Sequence, residues 1–589
     1  MKKLKRLSLL SLSGLLALTI VGCSSKDNTE QQKKFDEFIE QEFVETMESN
    51  YLNTHILMEH PEKYGIDVSK LPMQIDDPVT EETRAKNVED TEKSAKEFKQ
   101  FDRDNLTEEQ QDTYDIFAYM LENQQDSLDS KFDYMQPYFE SIAGIHTQLP
   151  TLFSDLTLRN EQDVKNLITL VNSTKTYMDS LIAYTKKQEE KGTLMIDIDS
   201  VKEYCDKIVK KGEDSDVLRS MNSNIEALKL GDEKTADYEA QLKEAFTSSF
   251  VPAYQDVSKA MSELDVSKNN KKGLSNLENG KAYYEILFKD ATGTDKSIEE
   301  MKKSLSDNAV ESLNAARSIV AKNPTAYDAF TSGKTKTGYK DFKSMLKDLN
   351  TDIEADFPSV GALNYNIEPL SKEVASNGIA AYFNIPALDA TTPNEIRVNT
   401  QEDQLDIQSL DTFATVAHEG LPGHMYQINY DYQNQSSNWR KAIPSLLGYT
   451  EGYATYVELY SLKYLDHVDA NMIALQQYMT AYQNDIVALI DIGIHYEGWS
   501  IGDTSKFLEQ NGLDSSAAEG LYSSIQPNPT AFLSYYAGYV EIMELKEEAQ
   551  DQLGDKFYDK DFHTALLKSG TAPFSVVKKN IEAYIDDAK

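Results

Sequence analysis

The run His418-Glu419-Gly420-Leu421-Pro422-Gly423-His424 puts two imidazoles and a carboxylate within one short stretch of chain. Imidazole and carboxylate are the groups that hold a divalent zinc, and a His-Glu pair is the set with which zinc hydrolases bind metal and activate water. On the helix of zinc peptidases the histidines are four apart, about 40° around the axis, so both rings reach one ion. Here they are six apart, and positions i and i+6 of a regular helix diverge by about 120°. An unbroken helix would keep the rings apart. Pro422 has no N–H for the carbonyl of His418 and its ring clashes with that carbonyl, so the turn must open there. Gly423 tolerates the dihedrals an opened turn requires. Two outcomes fit: a widened turn that swings His424 back toward His418, or a helix that ends at Pro422 and leaves two unrelated histidines beside the break.

The segment Thr450-Glu451-Gly452-Tyr453-Ala454-Thr455-Tyr456-Val457-Glu458 bears on that choice. Its two carboxylates are seven apart, about two turns, and share a face. A zinc held by two neutral imidazoles takes a carboxylate as third protein ligand and keeps a fourth position for water. Glu451 is the first choice for that ligand. Glu458 is then an acceptor that orients a ligand histidine, or a solvated carboxylate.

Taken with Asp491-Ile492-Gly493-Ile494-His495-Tyr496-Glu497-Gly498-Trp499-Ser500 and Ser534-Tyr535-Tyr536-Ala537-Gly538, these runs resemble the bacterial "domain of unknown function 885" family over nearly all of the chain, from about 40 to 585. Members are regarded as gluzincin-type zinc metallopeptidases, predominantly helical and distantly similar to carboxypeptidase Taq and the thimet-type oligopeptidases. By that resemblance His418, His424 and Glu451 match the metal ligands and Glu419 the catalytic carboxylate. There are two departures: Met425 stands where the family often has a further histidine, and Tyr453 where it usually has tryptophan. The second should alter packing more than ligation. Asp491 and His495 are spaced i, i+4, so the carboxylate can hold the imidazole in one tautomer, either to donate to a developing oxyanion or as a structural pair. Resemblance to tyrosine-assisted zinc peptidases gives Tyr535 the same oxyanion role. A zinc-dependent hydrolase of peptide bonds is the expected activity, with one Zn2+ per chain. A metal-dependent amidase acting on a cell-wall or other amide, and a lipid-anchored binding protein with a structural metal, are the alternatives.

The elements that must position these groups are legible in the rest of the chain. Its 589 residues are 40% hydrophobic and 27% charged, an ordinary globular balance. A net charge of −39 repels phosphate backbones, so nucleic acid is excluded as a partner. Lys2, Lys3, Lys5 and Arg6, an apolar Leu7 to Val21 and Gly22-Cys23 form a bacterial lipoprotein signal (1–22), which implies lipidation of Cys23 and an extracytoplasmic, membrane-anchored body. Cys205 is then the one remaining thiol, so no internal disulfide is possible. Residues 23–34 are polar and aperiodic, as in a flexible tether. From 35 to 350 the pattern is helical, with capping-box signatures at Thr107 to Gln110 and Ser297 to Glu300. The catalytic region is 351–589. Its start, Leu363 to Ile367, Ile379 to Ile385 and Glu395 to Thr400, is rich in β-branched and aromatic residues and predicts a small sheet. The class is mainly α, a large multi-helix metallopeptidase-like architecture with that sheet beside the zinc-site helix. The sequence leaves oligomeric state and exo- versus endopeptidase action open.

Overall fold

A computed structural model of the chain describes residues 24–333, 335–370, 380–390, 393–400 and 405–589. The signal 1–22 and Cys23 lie outside the described residues. Helices start where local chemistry starts them. The Thr107 hydroxyl accepts the Gln110 N–H while the Gln110 side chain accepts the Thr107 N–H, and Ser297 and Glu300 make the same reciprocal pair. Each satisfies two N–H groups that a helix start leaves without partners.

Helix α1 (Ser24–Met47) corrects the expectation of a flexible tether at 23–34. The segment is polar because it faces water, and it is held as helix by Lys34–Glu30 and Lys33–Glu37 pairs and by Gln32 donating to the carbonyl of Asn105. Polarity without an apolar period marks an exposed helix end here, not a linker.

Two cores form. One gathers apolar side chains between Tyr51 and Leu264, among them Phe153 on α2 (Ile145–Asp155). The other runs from Phe35 through α3 (Gly280–Thr292) to Ile585, so it crosses residue 350 without a break. The chain is mainly α, and among the described residues there is one sheet: β1 (Tyr365–Pro369), β2 (Ala381–Asn384) and β3 (Asn394–Val398), in the order β1-β3-β2. Strand β3 runs parallel to β1 and antiparallel to β2, which leaves one side of β2 unpaired. Asn394, Ile396 and Val398 alternate toward the core.

Downstream follow α4 (Leu410–Glu419), α5 (His424–Asn434), α6 (Leu447–Ser461), α7 (Ala470–Ile492) and α8 (Leu533–Leu553). Ser409 caps α4 by accepting the N–H of Thr412, so Ile407 precedes the helix and Leu410, Phe413, Ala414 and Ala417 form its buried face. Helices α6 and α8 cross in backbone contact. A Cβ on Gly538 would lie 1.9 Å from the carbonyl oxygen of Gly448, and one on Gly452 2.5 Å from the Cα of Gly538. Only glycine allows this approach, which sets Tyr535 beside the helix that carries Glu451.

Candidate metal centre

Helix α4 stops at Glu419 and α5 begins at His424, with a cis peptide between Leu421 and Pro422 in the link. Neither sequence expectation describes this fully. The helix does end, yet the chain folds back, because the Gly423 N–H bonds the carbonyl of Ala417 at 2.9 Å and the Tyr426 N–H that of Gly420 at 3.2 Å. Tyr453, the residue in the place of the family tryptophan, donates its hydroxyl to the Pro422 carbonyl at 2.9 Å and pins the link to α6. A Cβ on Gly423 would sit 1.8 Å from the carbonyl oxygen of His418. Gly423→Ala is therefore expected to displace α5. Thermal unfolding should show a loss of about 1–3 kcal/mol, as for other overpacked sites, and zinc affinity should fall with it; unchanged affinity would mean that the link does not position His424.

The fold-back brings the predicted ligands together. The His418 and His424 rings are 4.8 Å apart and nearly perpendicular, and one donor atom from each of His418, His424 and Glu451 falls within 4.8 Å of the others. Both Nε2 atoms converge on the same carboxylate oxygen, Glu451 Oε2, at 3.5 Å from His418 and 3.3 Å from His424. That oxygen is buried and makes no hydrogen bond. A buried acceptor left without a proper partner costs about 1–3 kcal/mol, so the arrangement calls for something between the three groups. Two neutral nitrogens and one carboxylate oxygen, with no cysteine, are the donors that suit an open zinc site.

Glu458 Oε2 lies 3.0 Å from His418 Nδ1 and accepts its proton in a hydrogen bond, which turns Nε2 toward Glu451. Burial opposes charge on His418, but Glu451 and Glu458 outweigh it and raise its pKa well above the usual value. Burial likewise opposes charge on Glu451, and the two imidazoles override it, holding the carboxyl down to about 2. Glu419 lies beside the two imidazoles but is held by a different partner. Its Oε2 accepts the backbone N–H of Phe383, on the unpaired side of β2, at 2.8 Å, and burial pushes its pKa up. Tyr535 stacks on the His418 ring at 6.3 Å, and burial followed by the charges of Glu451 and Glu419 raises its phenol. The Phe383 contact had no signal in the sequence beyond a sheet just upstream of the motif.

Asp491 and His495 do not join this group, and the expected pair between them does not form. Asp491 accepts the hydroxyl of Tyr284, from α3, at 2.6 Å and the N–H of Thr530 at 3.0 Å. His495 is fully buried, its Nδ1 accepting the Leu274 N–H at 3.3 Å and its Nε2 donating to the Ile525 carbonyl at 3.2 Å. With both nitrogens bound to backbone, it has none left for an oxyanion. Helical spacing made the pair possible, but better-placed partners from distant segments took both side chains. Burial lowers the His495 pKa to about 4, against about 6.5 in an unfolded chain. The unfolded state then binds more protons between those values, so this contribution is lost as pH falls from about 6.5 toward 4. His495→Gln is expected to destabilise by about 1–3 kcal/mol while zinc content and activity per folded molecule persist; a kcat collapse in a well-folded variant would return His495 to the chemistry. Cys205 is buried and burial raises its thiol pKa, as befits an inert side chain.

The family model described as "Bacterial protein of unknown function (DUF885)" matches residues 63–581. Two solved structures, each described as a "putative lipoprotein", share the fold. That from Colwellia psychrerythraea has a TM-score of 0.77 at 16% identity, covering 96% of this chain and 99% of its own. That from Shewanella oneidensis, described as of unknown function, has a TM-score of 0.56 at 14% identity, covering 85% and 93%. No curated protein matches. The chain belongs to the DUF885 family.

Proposed function

From that membership and this donor set, we propose that the protein is a zinc-dependent hydrolase of peptide bonds, anchored by a lipid on Cys23 outside the cytoplasm. The observation that carries the reading is the convergence of His418 Nε2 and His424 Nε2 on a buried, unbonded oxygen of Glu451. His418, His424 and Glu451 would hold the ion. Zinc supplies Lewis acidity there, polarising a carbonyl and lowering the pKa of water toward about 7. Glu419 takes the proton of the attacking water and returns it to the leaving amine, a role suited to a carboxylate whose pKa burial has raised. The Phe383 N–H fixes the carboxylate by one oxygen and leaves the other for the proton. Glu458 keeps His418 in the ligating tautomer. Tyr535, stacked on that ring, donates to the developing oxyanion.

Ala381 turns its backbone groups, and Phe383 its carbonyl, to the side of β2 that is unpaired among the described residues, beside Glu419, where an extended peptide would pair while the Phe383 N–H stays with Glu419. This favours a peptide over a compact amide. The lipid anchor rests on the sequence before Cys23, and among the described residues no helix is long and apolar enough to cross a membrane. Incubating the zinc-loaded chain with a broad peptide mixture and reading products by mass spectrometry tests the reading. Cleavage that stops on chelation is expected; bound zinc with no cleavage would favour the binding-protein alternative.

A further inference from the structure

Strand β2, whose Phe383 N–H holds Glu419, is itself held through the side chain next to it. Tyr382 stands opposite Arg397 across the β2–β3 ladder, so these two side chains share the face of the sheet away from Phe383 and Ile396. Both reach Asp155, the last residue of α2, whose Phe153 packs into the core between Tyr51 and Leu264. The Tyr382 hydroxyl donates to Asp155, and Arg397 lies 3.4 Å from Asp155 and 2.7 Å from Glu395. Chain order does not join these groups, since Asp155 and Tyr382 are 227 positions apart.

A carboxylate suits that point of α2 poorly for the helix alone. Burial opposes its charge and raises its pKa against the pull of Arg397 and Tyr382, and it stands at the end of the helix where the dipole is negative. Its hydroxyl donor and its cation both come from the sheet. The contact also acts at short range on the site. The Phe383 N–H belongs to the planar peptide unit that starts at the Tyr382 carbonyl, so a shift of Tyr382 moves the group that Glu419 accepts at 2.8 Å. Just past β2 the chain has separate anchors: Asp389 accepts the N–H groups of Glu59 at 2.7 Å and His60 at 3.1 Å, and the Leu388 N–H bonds the Leu57 carbonyl at 2.9 Å. Loss of the Asp155 contact therefore loosens that peptide unit without detaching the strand.

Resting on the hydrolase reading, we infer that Asp155 is a positioning residue for the proposed base: it fixes Tyr382 and, through the adjoining N–H of Phe383, sets where the Glu419 carboxylate stands. One core thus places the base of a site built on the other.

The test uses the zinc-loaded full chain with Asp155→Ala, Asp155→Asn and Tyr382→Phe, with zinc content and circular dichroism melting read on each. In Asp155→Ala, kcat for peptide hydrolysis is expected to fall about 10–10²-fold, the scale of loss for a group displaced by about 1 Å, while zinc stays bound. Asp155→Asn keeps an acceptor for the Tyr382 hydroxyl and should recover part of that loss. Hydrogen exchange of the fragment carrying Phe383, read by mass spectrometry, should quicken in Asp155→Ala and Tyr382→Phe while the fragment carrying His418 keeps its protection. In a Glu419→Gln background Asp155→Ala should lower kcat little further, because the base it places is already gone; an equal further loss would make Asp155 a purely structural residue and overturn the inference. Wild-type kcat in a folded Asp155→Ala chain, or unchanged exchange at Phe383, would overturn it as well. Should Asp155→Ala fail to fold, Tyr382→Phe decides by the same readings. If the wild type cleaves no peptide while exchange responds as expected, Asp155 keeps its hold on Glu419 and only the hydrolase reading goes.

Discussion

Replacing Glu419 by Gln is expected to lower kcat for peptide hydrolysis by about 10²–10⁴-fold, the range that a positioned general acid–base contributes. Zinc content and melting temperature should stay near wild type. Gln keeps an oxygen for the Phe383 N–H and is close to the same size, so the contact that fixes Glu419 survives. What disappears is the capacity to accept a proton. Because the side chain is buried and hydrogen-bonded to β2 rather than to His418 or His424, its loss is expected to separate catalysis from metal binding. Activity close to wild type in a zinc-loaded Glu419→Gln chain would remove Glu419 as the base.

Replacing His418 by Ala is expected to abolish stoichiometric zinc, where the wild type holds about one ion per chain as an open three-ligand site would. His418 stands at the centre of the group, since it faces Glu451 through Nε2, Glu458 through Nδ1 and Tyr535 through its ring plane. Removing it leaves Glu451 and Glu458 facing each other without the cation or dipole between them. Glu458→Gln should act more mildly, costing about 10–100-fold in zinc affinity, as loss of a group that orients a ligand does. Affinity should fall with acidification in the wild type, because protonated imidazoles do not ligate. Elemental analysis after dialysis and competition with a chromophoric chelator measure both. Full zinc in His418→Ala would reject the ligand assignment.

Much of the site was legible because its signals are local. The donor types of His418, Glu419, His424 and Glu451 follow from residue identity, and the shared face of Glu451 and Glu458 follows from helical periodicity. The hydroxyl caps at Thr107 and Ser297 act within four residues of chain, and the three strands lie where β-branched residues and prolines announced a sheet.

Other features depend on which segment arrives from far away. Asp491 is four residues from His495, yet it bonds Tyr284, 207 positions upstream, while His495 bonds Leu274, 221 upstream. Proximity in sequence makes a pair available, and burial then awards each polar group to whatever partner the packing delivers with the better geometry. The same rule gave Glu419 the N–H of Phe383 and Pro422 the hydroxyl of Tyr453. Composition and spacing by themselves determined a mainly helical body carrying a zinc-type donor set. The tertiary structure decided how the chain folds back between α4 and α5 and which groups hold those donors still, because each of these is a contact between elements that only packing brings together.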